Sequence, residues 1–214
     1  MGRFSYQDAE NYGSNGGGTS FFALKNDGDV ARVRFMYNDM NDVEGLAVHE
    51  IEVGDKRRYI SCLREYNEPK SKCPLCERES MQKAKLYIPV YDIDEEEVKI
   101  WERGKNFFGK ISSICARYAN GDTPLVSHIF EVERHGKKGD TQTSYEIFEV
   151  GCDETKLSDL PEIPDVLGTL VLDKTADEIN EFIRTGTFSD NGSTATADEP
   201  IRRRTPARDR GESF

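Results

Sequence analysis

The chain has 214 residues, 36% hydrophobic and 32% charged, enough for one good-sized domain with polar tails but cramped for two. No apolar run approaches the roughly 20 residues that span a bilayer, and MGRFSYQDAENYGSNGGGTS lacks the apolar stretch of a secretory leader, so a cytosolic protein is expected. The net charge of −11 hides an asymmetry: residues 56–140 carry 17 Lys/Arg against 14 Asp/Glu, a net of +3, and residues 141–200 carry 3 against 14, a net of −11.

Residues 1–20 are glycine-rich without apolar periodicity and read as a flexible arm. "ARVRFMY" (31–37) alternates, with Val33, Phe35 and Tyr37 on one face and Arg32, Arg34 and Met36 on the other. "LAVHEIEV" (46–53) is a second strand bounded by turns. "KLYIPVYDI" (85–93) sets Leu86, Ile88 and Val90 against Tyr87 and Tyr91, and "EVKIWER" (97–103) puts Lys99, Trp101 and Arg103 on one face. "GKNFFGKISSICARYANG" (104–121) is the best helix, with apolar residues recurring at three and four and Asn120-Gly121 as its stop. "LVSHIFEVER" (125–134) and "SYEIFEV" (144–150) read as a hairpin. "TADEINEFIRTG" (175–186) reads as a last helix, with Thr175 as N-cap, Glu178 in the capping box and Gly186 at its end. From 186 to 214 the composition turns polar, Ser/Thr-rich and Pro-broken, which predicts a disordered tail. Strands, an internal helix, then a hairpin predict a mainly β protein. The expected fold is a five-stranded OB-fold barrel over 21–185, with an inserted zinc-binding subdomain at about 49–84 and a C-terminal helix.

The zinc expectation comes from soft ligands. Cys73 and Cys76 have the two-residue gap of a metal knuckle, and His49 and Cys62 complete a Cys3His set with gaps of twelve, ten and two residues. Four protein ligands leave no open coordination position, so one structural Zn²⁺ is expected, pinning a polar excursion over 54–84. Cys115, on the apolar helix face, and Cys152, just past the last strand, read as structural.

The same excursion interleaves cations and rings: Lys56, Arg57, Arg58, Tyr59, Arg64 and Tyr66. Arg32 and Arg34, Tyr87 and Tyr91, then Lys99, Trp101 and Arg103 repeat the theme opposite the expected core, and Lys105 and Phe107 extend it. Cations that follow phosphates and rings that stack on unpaired bases suit a single-stranded nucleic acid.

With these residues in view, the chain resembles the single-stranded DNA-binding, helix-destabilising proteins of tailed phages, including the T-even type. The likeness rests on the ligand order His49, Cys62, Cys73, Cys76 and on "FFALKNDGDVARVRF", "VHEIEV", "YISCLREYNEP", "KCPLCE" and "IWERGKNFFGK", and covers about 21–150. It implies an OB-fold with a zinc subdomain that coats single-stranded DNA during replication, recombination and repair, without enzymatic activity, in the cytoplasm of an infected bacterial host. It also implies cooperative contacts between copies and a C-terminal region that recruits polymerase, helicase or primase. Two features differ from the T-even pattern: residues 1–20 hold a single basic residue, Arg3, and the tail carries five arginines over 202–210. The alternatives are a zinc-containing adaptor using the acidic 141–200 surface, and a single-stranded RNA-binding protein. No phosphate loop, HExxH or nucleophile–base pair in the sequence points to an enzyme.

Overall fold

The structure, a computed structural model, describes residues 20–118, 123–140 and 142–188. All but the last residue of the expected N-terminal arm (1–20), the Asn120-Gly121 helix stop and all but the first three residues of the expected tail (186–214), its arginines included, lie outside the described residues. The elements are β1 (Ser20–Phe21), β2 (Val30–Phe35), β3 (Glu44–Val53), β4 (Lys56–Ser61), α1 (Pro74–Glu77), β5 (Gln82–Asp92), β6 (Glu97–Gly104), α2 (Phe108–Tyr118), β7 (His128–His135), β8 (Ser144–Cys152), β9 (Val171–Leu172) and α3 (Ala176–Thr185).

The protein is mainly β, as expected. Among the described residues, nine strands share one mixed sheet in the order β8-β7-β2-β5-β3-β4-β9, with β6 branching from β5 and β1 from β6. The path does not close on itself, so the sheet is an open array where a five-stranded barrel was expected. An OB barrel is itself only partly closed.

β5 organises the array. Along one edge it pairs first with β3, from Gln82 to Tyr87, and then with β2, from Val90 to Asp92. β6 runs along its other edge. Pro89 sits at the change of partner. Its carbonyl accepts from Met36 N at 3.0 Å, and the N–H it lacks would fall in the gap between the β3 and β2 ladders, where its loss breaks neither of them. β3 and β4 form a tight hairpin whose two-residue turn has Gly54 at φ 59, a left-handed conformation that glycine adopts without strain. Lys56-Arg57-Arg58 therefore stand on a paired strand, and the irregular excursion shortens to the stretch between β4 and β5.

The main core lies on one face of this array. Val33, Phe35, Tyr37, Leu86, Ile88 and Val90 fill it as the alternation predicts, closed by Ile111 and Cys115 of α2. Trp101 reverses the expectation: it is 1% exposed and packs edge-on against Phe22, Phe107 and Tyr145 at centroid distances of 5.4, 5.0 and 5.2 Å. The opposite face is also covered. Ile163, Val166, Leu170 and Val171 lie over Val48, Tyr87 and Ile100, and β9 adds to β4 in parallel. Tyr87, expected on an open face, is buried there.

The last helix matches its sequence reading. Thr175 accepts from Glu178 N, the Glu178 side chain accepts in return from Thr175 N, and Gly186 closes the helix at φ 76. Phe188 stacks on Phe182 at 4.6 Å, so packed chain continues past the expected boundary at 185.

Burial of Trp101, the only tryptophan, fixes an expected spectrum: blue-shifted emission insensitive to iodide. Trp101→Ala should cost about 3–5 kcal/mol in denaturant unfolding. Ready quenching by iodide would place the ring at the surface instead.

Candidate functional site

The four expected ligands meet. The ligand atoms of His49, Cys62, Cys73 and Cys76 all lie within 4.8 Å of one another, and this cluster can hold a metal ion. Cys62 Sγ is 3.6 Å from Cys76 Sγ, and His49 Nε2 is 3.7 Å from Cys73 Sγ and 3.4 Å from Cys76 Sγ. Ligands at about 2.0–2.3 Å from a central tetrahedral ion sit roughly 3.5–3.8 Å from each other. These three edges are close to that spacing.

Local structure explains how the chain brings them together. His49 points from the middle of β3, and Cys62 follows β4 directly, its N–H donating to Ala47 O at 2.8 Å. Pro74 starts the single turn α1 at the position where a missing N–H costs nothing. The turn closes with Glu79 at φ 58, Glu79 N donating to Cys76 O and Ser80 N to Leu75 O. This paired bonding is that of a Schellman cap, here with glutamate in the position usually held by glycine. It returns the chain directly into β5.

Electrostatics favour a cation. Burial works against ionising Cys73, but backbone N–H groups of Cys76, Leu63 and Leu75 donate to its sulfur and bring its pKa below the ordinary thiol value. Burial pushes the Cys76 thiol up to about 12, reinforced by the Cys62 and Cys73 sulfurs. Three sulfurs so close cannot all ionise unless a positive charge sits among them. Burial also holds the His49 pKa below its ordinary value, leaving a neutral ring as metal ligation requires.

Two outer partners were not legible in the sequence. Ser80 Oγ lies 3.2 Å from His49 Nδ1, and Gln82 Nε2 donates to Cys62 Sγ at 3.0 Å. Such contacts fix ligand orientation. Ser80 and Gln82 follow the knuckle by a few residues, and only that proximity could have marked them. Ile179 of α3 is fully buried against Cys73, Leu75 and Cys76, so the C-terminal helix rests on the ligand cluster.

Beside the cluster lies a cleft of about 670 Å³ lined by Ala47, Arg64, Tyr66, Gln82, Lys83, Ala84, Lys85, Gly104, Lys105 and Asn106, with no carboxylate among them. Ala47 and Ala84 face each other across β3 and β5 and make a floor of small side chains. Arg64 and Tyr66 rise from the metal loop on one side, Lys105 and Asn106 from the β6–α2 connection on the other. Tyr66 is 94% exposed. Arg64 donates to Glu68 O and to Gln82 Oε1 at 3.3 and 3.0 Å, which ties the wall of the cleft to a residue touching a ligand. By strand alternation the Lys83 and Lys85 side chains turn to the other face, where they pair with Glu50 and Glu102.

A second, smaller cleft shares Gly104 and Asn106 with the first and continues to Arg103, Phe107, Lys110 and Tyr145. The Arg103 guanidinium lies 4.0 Å from the Tyr145 ring centroid and 4.7 Å from that of Trp101.

The other expected contacts are dispersed. Arg34 is buried, donating to Asp153 and to the carbonyls of Val126 and Ser127. Lys99 is buried between Asp92 and Glu95, and Arg32 pairs with Asp94. The acidic turn 92–97 thus neutralises two cations expected on an open face. Tyr87 and Trp101 are in the interior, and Tyr91 is half-buried. Lys56 and Arg57 are exposed on β4, with Arg58 and Tyr59 half-buried beside β9. Alternation separates the two faces of a strand but does not say which is the core, whether both are covered, or which cations find carboxylates.

No family model and no curated protein matches the chain.

Two outcomes follow. Elemental analysis should find about one metal ion per chain, lost when Cys73→Ser and Cys76→Ser are combined. Hydrogen exchange should then accelerate over 62–81 and α3 while β2, β5 and β7 stay protected; unchanged exchange in α3 would refute the coupling. The second outcome concerns Asp153, whose pKa Arg34 holds down at about 2 from an ordinary 3.8. A depressed pKa contributes stability above the ordinary value that is lost as pH falls through the folded one. Asp153→Asn should therefore lower the melting temperature at neutral pH and shrink the loss between 3.8 and about 2 in an acid titration.

Proposed function

We propose that the protein is a non-enzymatic single-stranded DNA-binding protein whose metal is a structural zinc ion. The observation that carries this reading is the cleft beside the ligand cluster, free of carboxylates in a chain of net charge −11. Its floor of alanines admits a flat or extended chain, Arg64 and Lys105 flank it with positive charge, and Tyr66 offers a ring to an unpaired base. The continuation past Arg103, Phe107 and Tyr145 lengthens the path over which a strand is followed. Three sulfurs and one nitrogen drawn within 4.8 Å of one another suit zinc. Four protein ligands close its coordination, so the ion holds the cleft wall and is not a site of chemistry. The resemblance to phage helix-destabilising proteins in ligand order supports DNA over RNA. It also motivates the reading that copies cooperate along a strand in an infected bacterial cell and recruit replication proteins.

A second reading, a protein adaptor, is favoured by β8, which ends the sheet order and exposes Phe148 and Val150.

Anisotropy of labelled oligonucleotides separates these readings. Binding to single-stranded DNA should exceed binding to matched RNA and duplex. Its log–log salt slope should be roughly −0.7 per phosphate neutralised, reduced by about 1.4 when Arg64→Ala and Lys105→Ala are combined. Tyr66→Ala should cost about 1–3 kcal/mol of binding. Preference for RNA would reassign the ligand, and absence of binding to all three would leave the adaptor.

A further inference from the structure

A separate constellation sits at the far end of the sheet, where β7 and β8 begin and end. His128 and Cys152 are directly paired across the two strands. Cys152 is exposed, and its Sγ lies 4.0 Å from His128 Nε2. On the other side of the ring, His128 Nδ1 is 2.6 Å from Glu149 Oε1. Glu149 Oε2 accepts from the Tyr118 hydroxyl at 2.8 Å, and the Tyr118 ring lies against the imidazole at a centroid distance of 4.2 Å.

These contacts set the tautomer. A carboxylate accepts only, so Nδ1 carries the proton and donates to Glu149, leaving the Nε2 lone pair towards the thiol. The His128–Glu149 hydrogen bond is the first cause of the depressed Glu149 pKa, so the carboxylate stays ionised and accepts from the ring. Imidazole beside sulfur, oriented by a carboxylate, is the arrangement that turns a thiol into a thiolate. The Asp153 carboxylate next along the chain is engaged by Arg34, and Cys152 Sγ has the Asp153 carbonyl at 3.8 Å as its other neighbour.

We propose that Cys152 is a nucleophilic thiol, with His128 as its base and Glu149 as the positioning residue, open to reversible mixed-disulfide formation with low-molecular-weight disulfides. The thiol proton passes to His128 Nε2 and the thiolate attacks one sulfur of R–S–S–R. A bond forms between Cys152 Sγ and that sulfur as R–S⁻ leaves, and the leaving thiolate takes the proton from the imidazolium. Cys152 is oxidised and the departing sulfur reduced, so electrons balance without another reagent. The proposal is independent of the nucleic-acid reading, and its test does not involve that ligand.

The test follows dithiobis-nitrobenzoate and glutathione disulfide reacting with metal-loaded protein, with the modified residue located by peptide mass. Cys152 should react first, ahead of buried Cys115 and the three ligand cysteines, and Cys152→Ser should abolish this phase. His128→Gln should slow it about ten-fold, because the variant lacks the base positioned to take the thiol proton. Glu149→Gln should slow it several-fold. The groups facing the pair are Glu149, Tyr118, Arg117, Asp153 and Arg34; with them in place the parent rate should depend less steeply on pH than the His128→Gln rate. A His128→Gln protein that melts like the parent and reacts at the parent rate would overturn the proposal. If that variant fails to fold, an unchanged rate and pH profile in Glu149→Gln would overturn it.

Discussion

Three cysteine sulfurs and one imidazole gathered in a largely buried space impose a charge requirement that the surrounding structure is built to meet. The sulfurs repel each other once ionised, and burial disfavours each of them separately, as the raised Cys76 pKa records. A bound cation resolves the conflict, and structural metal sites of this kind contribute on the order of 10–16 kcal/mol in small domains. Here the ligands come from β3, the end of β4 and the knuckle at α1, while Gln82 at the start of β5 and Ile179 of α3 press on them. One ion would therefore join parts of the chain more than a hundred residues apart. The stretch between β4 and β5 is largely polar, and Leu63, Leu75 and its cysteines are the apolar side chains it contributes to that junction.

The cleft inherits its shape from that junction. Arg64 is held against Gln82, which touches Cys62, so the position of a cation in the cleft wall is linked to the ligands by two hydrogen bonds. The opposite wall belongs to the main core, through the connection from β6 into α2. The floor depends on β5 changing partners at Pro89, because only the β3-paired half of the strand lies between the cluster and the core. A net charge of −11 is compatible with a positive cleft because the carboxylates are placed elsewhere. Asp92, Asp94 and Glu95 neutralise Lys99 and Arg32, and Glu50 and Glu102 neutralise Lys83 and Lys85 on the reverse face.

Burial on both sides of the β3–β5–β6 region separates the sequence expectations that hold from those that do not. Val33, Phe35, Leu86, Ile88 and Val90 were identifiable as core because strict alternation in a strand marks an apolar face. The same alternation left Tyr87, Lys99 and Trp101 on what looked like an open face. Tyr87 is covered by residues 163–171, a stretch with no periodic signature of its own. Trp101 lies on the core face, and Ile100 beside it takes the other. A strand with large apolar residues at both parities has two buried faces, and a period of two cannot rank them.

The sequence by itself determined the four residues of the candidate metal cluster, the capped C-terminal helix, the β7–β8 hairpin and the mainly β character. Each is encoded locally, by ligand spacing, by Thr175 and Glu178 three residues apart, or by alternation over a few residues. Tertiary structure alone decided the open sheet, the outer partners Ser80 and Gln82, and which cations remain free. It also brought His128, Glu149, Tyr118 and Cys152 together, although Tyr118 and Cys152 are 34 positions apart in the chain. The physical reason is that ion pairing, coverage of a second face and cross-strand register depend on what arrives from distant segments, and no local pattern carries that information.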